Sequence, residues 1–438
     1  MSLTHVFSRG QRGVTLVELM IAMVLGLLVA GGIVSVFLST SSSNRVQTQM
    51  ARLQEEGRFA VDRISGDLKM AGSQYCSSTG GIANTMGAGV ALDALRTPKI
   101  LSSTITFPQN TTAWGTPYPV KPTVAYPMPS FLFMRGYDCT KTKCGPADPS
   151  APTDGVPKMG TALDQRVVGA SVLTLRYVDS SRGWAIGGSS VVVAKNNGDL
   201  DHVTIVPKTG EPSLAGFADG EQAMLADCST AQIFSVNGSP DFKPDTTNFS
   251  QPRALQPQSA PRFFRLKTDL RTVTYYLQVK TDDGTATGNK TGALMRCDSG
   301  TTGPCAELVR GVERLDFRYG VEDSDGLTHF LSAAEVDSNN TGKIACPPNA
   351  PDALTPDTGC LWRAVKSIEM HLLMDGQVPL FSLTAPEIAF TYQPDAITTP
   401  AAPNARGTNG IAPSDQGFDD HMIRREFSTL VMMRNYNP

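Results

Sequence analysis

Hydrophobic positions change their rhythm twice along this chain. From Val14 to Leu38 they run almost unbroken, VTLVELMIAMVLGLLVAGGIVSVFL, with Glu18 as the one charge in 25 residues. At about 1.5 Å per residue, such a helix crosses a hydrocarbon layer of roughly 30 Å. From Val46 the apolar positions recur every three or four residues, at Val46, Met50, Leu53, Gly57, Ala60, Ile64, Leu68 and Ala71. That spacing predicts that the helix continues as an amphipathic one to about Ala71, where Gly72 can stop it. A helix over 14–71 would be roughly 87 Å long, with Gly26 and the Gly31-Gly32 pair as places for it to curve or loosen. Arg52 with Glu56, Arg58 with Asp62 and Arg63 with Asp67 are spaced four apart and read as a solvated face.

Beyond residue 72 the period becomes two. Short β-rich runs fall at 130–135 (SFLFMR), 171–178 (SVLTLRYV), 203–206 (VTIV), 231–236 (AQIFSV), 272–280 (TVTYYLQVK), 313–319 (ERLDFRY), 364–374 (AVKSIEMHLLM) and 426–434 (EFSTLVMMR). They predict antiparallel sheet packed on the helix, an α+β class. Pro- and Gly-rich stretches at 144–165, 237–262, 347–360 and 394–418 read as loops decorating that sheet, their polar composition offering no core of its own. No fixed-period repeat is visible. The economical division is a leader over 1–13, a membrane-spanning and assembly helix over 14–38, an amphipathic helix over 39–72 and a β-rich head over 73–438. A boundary near 260 that splits the head in two is the alternative.

Composition narrows the classes. The chain has 438 residues with 38 basic and 41 acidic side chains, a net charge of −3, and no Lys/Arg-rich run, so a nucleic-acid partner is not expected. Charged residues make up only 18% and Gly and Pro number 40 and 30, which speaks for turns and against an all-helical enzyme. The first 13 residues carry Arg9 and Arg12, no acid, and end on Gly13. Basic residues on that side of the apolar run put 1–13 in the cytoplasm and the bulk of the chain outside it. An ordinary secretory signal is the competing reading, but its apolar core spans only about 7–15 residues and ends in an A-x-A-like site, neither of which is found here.

Glu18 lies inside the apolar run, where a carboxylate costs roughly 2.5–3.5 kcal/mol on insertion scales. It either reaches the headgroup region from its place near the membrane edge or meets a cation within the bilayer. If the leader is removed after Gly13, the new α-amine of Val14 supplies such a cation, and two chains staggered in a bundle could neutralise each other.

The run Gly13-Val14-Thr15-Leu16-Val17-Glu18-Leu19-Met20 resembles the class III signal of type IV pilin-like proteins. The resemblance implies that a prepilin peptidase cuts between Gly13 and Val14 and methylates the Val14 amine, and that Glu18, at the fifth mature position, serves assembly. Val14 departs from the Phe usual at that place. The segments RLQEEGRFAVDRISGDLKMAG (52–72), MLADCSTAQIFSV (224–236), ELVRGVERLDFRYGVEDSDG (307–326) and EFSTLVMMRN (426–435) resemble the PilW family of minor pilins. That likeness implies a pilin-like α+β fold, with the long helix packed on an antiparallel sheet that carries large loop insertions. It implies as partners other minor pilins, the major pilin, a tip adhesin and the inner-membrane assembly platform. The implied location is the bacterial inner membrane, head in the periplasm, and then the pilus at the cell surface.

Eight cysteines form an even set without a C-x-x-C pair, at 76, 139, 144, 228, 297, 305, 346 and 360. All lie beyond the apolar helix, which fits an oxidising compartment and four disulfides. Cys139 with Cys144, Cys297 with Cys305 and Cys346 with Cys360 are neighbours in sequence, leaving Cys76 with Cys228 to tie the helix end to a distant strand. Eight cysteines allow 105 connectivities, and local pairing is the expectation among them.

Catalytic signals are weak. His5, His202, His329, His371 and His421 are scattered with no second histidine at ligand spacing, and His371 reads as a packed or edge residue of a strand. Gly284 to Thr291 lacks phosphate-loop spacing and reads as a turn between strands. The acidic run Glu322-Asp323-Ser324-Asp325-Gly326 reads as a hairpin turn, because the carboxylate a calcium loop needs beyond the Gly is missing. No cofactor, metal or catalytic residue is therefore expected. The sequence points to a minor pilin that helps prime a type IV pilus within a tip complex. The alternative is a pseudopilin at the tip of a type II secretion pseudopilus, and an enzyme anchored by the helix is remote.

Overall fold

The computed structural model describes residues 13–73, 75, 83–86, 89–92, 98–105, 120–150, 156–227, 230–299, 305–338, 344, 359–406 and 410–434. They form an α+β protein, in which one long helix, α1 (Leu16–Met70), precedes a series of mostly antiparallel strands. The chain divides into two compact units, Met1–Arg52 and Leu53–Pro438.

In the first unit α1 is helical without a break through Gly26, Gly31 and Gly32, so the glycines that sequence marks as loose points do not interrupt it. Every described residue up to Thr40 is exposed, the large apolar side chains of Leu16 and Leu27 by 74% and 73%.

The second unit begins with the last turns of α1. Leu53, Gly57, Ala60, Ile64 and Leu68 are buried at the predicted spacing, and Leu53, Ala60, Ile64 and Leu68 join a large core with residues from three sheets. The helix ends at Met70, and Gly72 takes φ +70° and donates its N–H to Arg176 O at 2.9 Å. Gly57 answers to a close approach: a Cβ there would stand 2.6 Å from the Phe427 ring. The strands of two of these sheets are β1 (Met134–Cys139), β2 (Cys144–Gly145), β3 (Val172–Val178), β4 (Leu270–Thr281), β5 (Lys290–Asp298), β6 (Ala306–Arg310), β7 (Val312–Glu322), β8 (Thr328–Leu331), β9 (Val365–Asp375) and β10 (Arg424–Met432). One sheet runs β6-β5-β4-β3-β1-β2 and the other β8-β7-β9-β10. Their inward residues alternate along each strand, as with Leu315, Phe317, Tyr319 and Val321 on β7, which places one face of the sheet in the core.

A third sheet, of nine strands, is drawn from between Lys99 and Arg265, from the segments on either side of β1 to β3. Its strands Gln222–Ala226, Ala231–Asn237 and Arg262–Arg265 send Met224, Ile233 and Phe264 into the large core and Leu225, Phe234 and Phe263 into a second one. Trp184, Phe217, Phe242 and Phe263 fill that second core, with the Phe217 and Phe242 ring centroids 4.5 Å apart. Here the sequence reading needs correction. The stretch 237–262 is more than a decoration, since the strand Asp241–Pro244 lies within it and Phe242 is 2% exposed. The run 130–135 is likewise only half strand: Ser130–Leu132 is a 3-10 turn, and β1 starts at Met134. The Gly284–Thr291 segment passes from turn into β5 at Lys290.

Candidate functional site

α1 carries the chemistry at both of its ends. At its start Thr15 caps the helix: its Oγ1 accepts the Glu18 N–H at 3.3 Å, and the Glu18 carboxylate accepts both the Thr15 N–H and its hydroxyl at 3.0 Å. This reciprocal pair satisfies N–H groups that otherwise have no partner in the first turn, and an acidic side chain there also suits the helix dipole. The T-x-x-E spacing of Thr15 and Glu18 is the signal in the sequence that marks this cap. No cation pairs with Glu18 among the described residues. Gly13 and Val14 precede the helix and are exposed, Val14 by 72%.

At its other end the helix presents Asp67, which the four-residue spacing assigned to a solvated pair with Arg63. The structure corrects that reading. Asp67 is 5% exposed; its Oδ2 accepts from Arg296 Nε at 2.7 Å and from Tyr275 Oη at 2.5 Å, while Oδ1 accepts from Tyr177 Oη at 3.5 Å. Arg296 also reaches Asp298 at 2.6 Å, and Asp298 holds Arg271 at 2.6 Å. Burial disfavours the Arg296 charge, but the hydrogen bond and charge of Asp67 outweigh it and hold the guanidinium above its usual range. Burial and the Asp67 charge push the Tyr177 phenol up to about 12. Glu56, expected on the same solvated face, accepts from Gln377 Nε2 at 2.8 Å. Gln377, at φ +66°, also bonds Arg310 O at 3.0 Å.

Other charges are buried in the same unit. Arg424 and Glu313 form a fully buried pair at 2.7 Å. Burial pushes the Asp138 carboxyl up to about 7 although the Ala333 N–H donates to it at 2.5 Å, and burial together with Glu313 does the same to Asp375. The acidic run after β7 forms a turn: Asp323 Oδ1 accepts the N–H groups of Asp325 and Leu327 at 2.9 and 3.0 Å, and Oδ2 meets His329 Nε2 at 2.7 Å. His371 is 2% exposed on β9, with Nδ1 2.7 Å from Glu426 and Nε2 3.5 Å from Glu369. Disulfides join Cys139 to Cys144 and Cys297 to Cys305. Cys360 is disulfide-bonded as well, whereas Cys76, Cys228 and Cys346 lie outside the described residues.

Comparison with known proteins gives these features a context. Residues 8–34 match the prokaryotic N-terminal methylation motif and residues 274–435 match PilW, the type IV pilus-assembly protein W family. The chain is thus a type IV pilin-like protein with an N-terminal helix that fits inner-membrane anchoring. The match to the PilW family takes in β5 to β10 and most of β4. Of the four segments that resemble PilW in sequence, 307–326 and 426–435 fall within that match and 52–72 and 224–236 outside it. Among solved structures the chain is similar to a type IV-like pilin from Thermus thermophilus, at 14% identity over 40% of this chain and 73% of that one, with a TM-score of 0.18. No curated protein matches the sequence.

Proposed function

We propose that this chain is a minor pilin that primes type IV pilus assembly from a complex with other minor pilins at the pilus tip. The observation that carries the reading is Glu18. It sits near the start of the apolar, exposed first part of α1, hydrogen-bonded to Thr15 but without a counter-charge among the described residues. In lipid an uncompensated carboxylate is costly, so a cation from a neighbouring chain would lower the energy of the packed bundle. Cleavage between Gly13 and Val14 would create that cation on every subunit as the Val14 α-amine, which the peptidase would methylate. The PilW domain supports a pilus in preference to a secretion pseudopilus. On this reading the major pilin, a tip adhesin and the inner-membrane platform are the further partners, and the head lies in the periplasm until assembly carries it to the surface.

The capping role of Glu18 decides how the reading is tested. Glu18→Ala removes both the charge and the cap, whereas Glu18→Gln keeps an acceptor for the Thr15 N–H and removes only the charge. Co-purification of each variant with the other minor pilins, alongside a count of surface pili, separates the two roles. Loss of recruitment in Glu18→Gln is the expected result. Normal recruitment and piliation in Glu18→Gln would overturn the charge pairing and leave a capping residue at the membrane edge.

A further inference from the structure

One buried cation has a position that a purely structural disulfide does not require. Arg166 is fully buried, and its Nη1 lies 3.0 Å from Cys139 Sγ and 3.2 Å from Cys144 Sγ. Its Nε donates to Pro157 O at 3.3 Å and its Nη2 to the exposed Asp148 carboxylate at 3.2 Å. The sulfurs of a closed disulfide are neutral and accept hydrogen bonds weakly, so the guanidinium gains little from them. A thiolate at either place would gain a charge-assisted hydrogen bond, and a nearby Arg or Lys is what lowers a cysteine pKa below its usual ~8.5. Arg166 therefore favours the opened pair over the closed one.

Two further features act in the same direction. The residues between the cysteines, Thr140-Lys141-Thr142-Lys143, add two cations. Lys141 is held by Asp415 at 2.8 Å and Lys143 is exposed. The sulfurs also differ in access, Cys139 being buried at 7% exposure and Cys144 partly exposed. Exchange needs one sulfur open to attack and the other able to leave as a stabilised thiolate. Cys297–Cys305 offers a contrast within the same chain, since no side-chain donor reaches its sulfurs among the described residues.

We propose that Cys139–Cys144 is a thiol–disulfide exchange site whose substrate is a dithiol. A thiolate of the dithiol forms a bond to Cys144 Sγ. The Cys139–Cys144 bond breaks, and Cys139 leaves with the electron pair as a thiolate beside Arg166. The second thiol of the dithiol, on losing its proton, closes on the first sulfur and releases Cys144. The dithiol is oxidised to a disulfide by two electrons, and the cysteine pair is reduced and takes up the two protons.

The test uses the full-length protein in detergent, with dithiothreitol as the dithiol, rapid alkylation and peptide mass spectrometry. Cys139–Cys144 is expected to open at least tenfold faster than Cys297–Cys305. Arg166→Met is expected to slow that opening about tenfold, the effect of roughly one pKa unit on the leaving thiol, with Arg166→Lys in between. Equal opening rates in the wild type, or an unchanged rate in a folded Arg166→Met, would overturn the proposal. Should Arg166→Met not fold, the pH dependence of Cys139 alkylation in the reduced wild type decides. A midpoint at least one unit below ~8.5 supports the proposal, and any higher midpoint overturns it.

Discussion

Asp67→Ala should loosen the grip of α1 on the sheet under it, by an amount the structure lets us work out. The substitution takes from Arg296 a charge-assisted bond of 2.7 Å but leaves it Asp298 at 2.6 Å, so the cation is not stranded. Tyr275 Oη loses its 2.5 Å partner and keeps only a contact of 3.4 Å to Arg63 O. A charge-assisted bond contributes about 1.5–3 kcal/mol and an unsatisfied buried hydroxyl costs about 1–3 kcal/mol, which together give about 2.5–6 kcal/mol. For a unit as large as Leu53–Pro438, the unfolding entropy near Tm is about 0.8 kcal/mol per kelvin, so Tm falls by about 3–7 °C. Calorimetry on the detergent-solubilised chain, with circular dichroism as a second probe, measures it. Arg63→Ala is the control, because the side chain that spacing alone pairs with Asp67 is exposed and its loss should change stability by less than about 0.5 kcal/mol. Equal losses in the two variants, or none in Asp67→Ala, would refute the argument. In a double-mutant cycle with Arg296→Met, the coupling should account for about half of the Asp67→Ala loss.

Three other expectations follow from particular residues. Because burial raises the folded-state pKa of Asp138 to about 7 from its ordinary value, the folded chain binds more protons than the unfolded one between pH ~4 and 7. Stability is therefore lost as pH rises through that window, and Asp138→Asn should restore up to about 4 kcal/mol at pH 8, read as a Tm rise absent at pH 4. Gly66 faces open space on α1, so Gly66→Ala should stabilise the head by about 0.5–1 kcal/mol, whereas Gly57→Leu, driven into the Phe427 ring, should cost about 1–3 kcal/mol in denaturant titrations. Co-expression with an active prepilin peptidase should shift the intact mass by the loss of residues 1–13 and take the net charge from −3 to −5, as Arg9 and Arg12 leave; retention of those residues would count against the cleavage site.

The helix was legible because both of its patterns are local. An unbroken apolar run and a three-to-four repeat need no knowledge of the rest of the chain, and Leu53, Gly57, Ala60, Ile64 and Leu68 are buried where the repeat puts them. Strands with bulky alternating residues, such as β4 and β9, were legible for the same reason. β5 was not, because Lys290, Thr291 and Gly292 open it and resemble the turn before them. The strand Asp241–Pro244 was hidden by its two-residue ladders to neighbours on either side, too short for any period to show. Asp67 illustrates the limit most directly. Its spacing to Arg63 is local and correct, but its partner Arg296 is 229 positions away in sequence, and a long-range cation above a buried face wins over an exposed one.

The two acids of α1 show why one residue type on one helix calls for two different explanations. Asp67 is matched within the chain: Arg296 supplies the charge, and Tyr275 and Tyr177 take the remaining lone pairs, so nothing outside the head is needed to hold it. Glu18 has its hydrogen bonds supplied by Thr15 but not its charge. In water that difference hardly matters, since a solvated carboxylate needs no counter-ion and a capping box is stabilising by itself. In hydrocarbon it decides the outcome, because hydrogen bonds from a neutral threonine leave a full negative charge to be desolvated. The same cap that orders the first turn of the helix thus leaves the charge of Glu18 uncompensated among the described residues, and on the proposed reading a cation from a neighbouring chain compensates it.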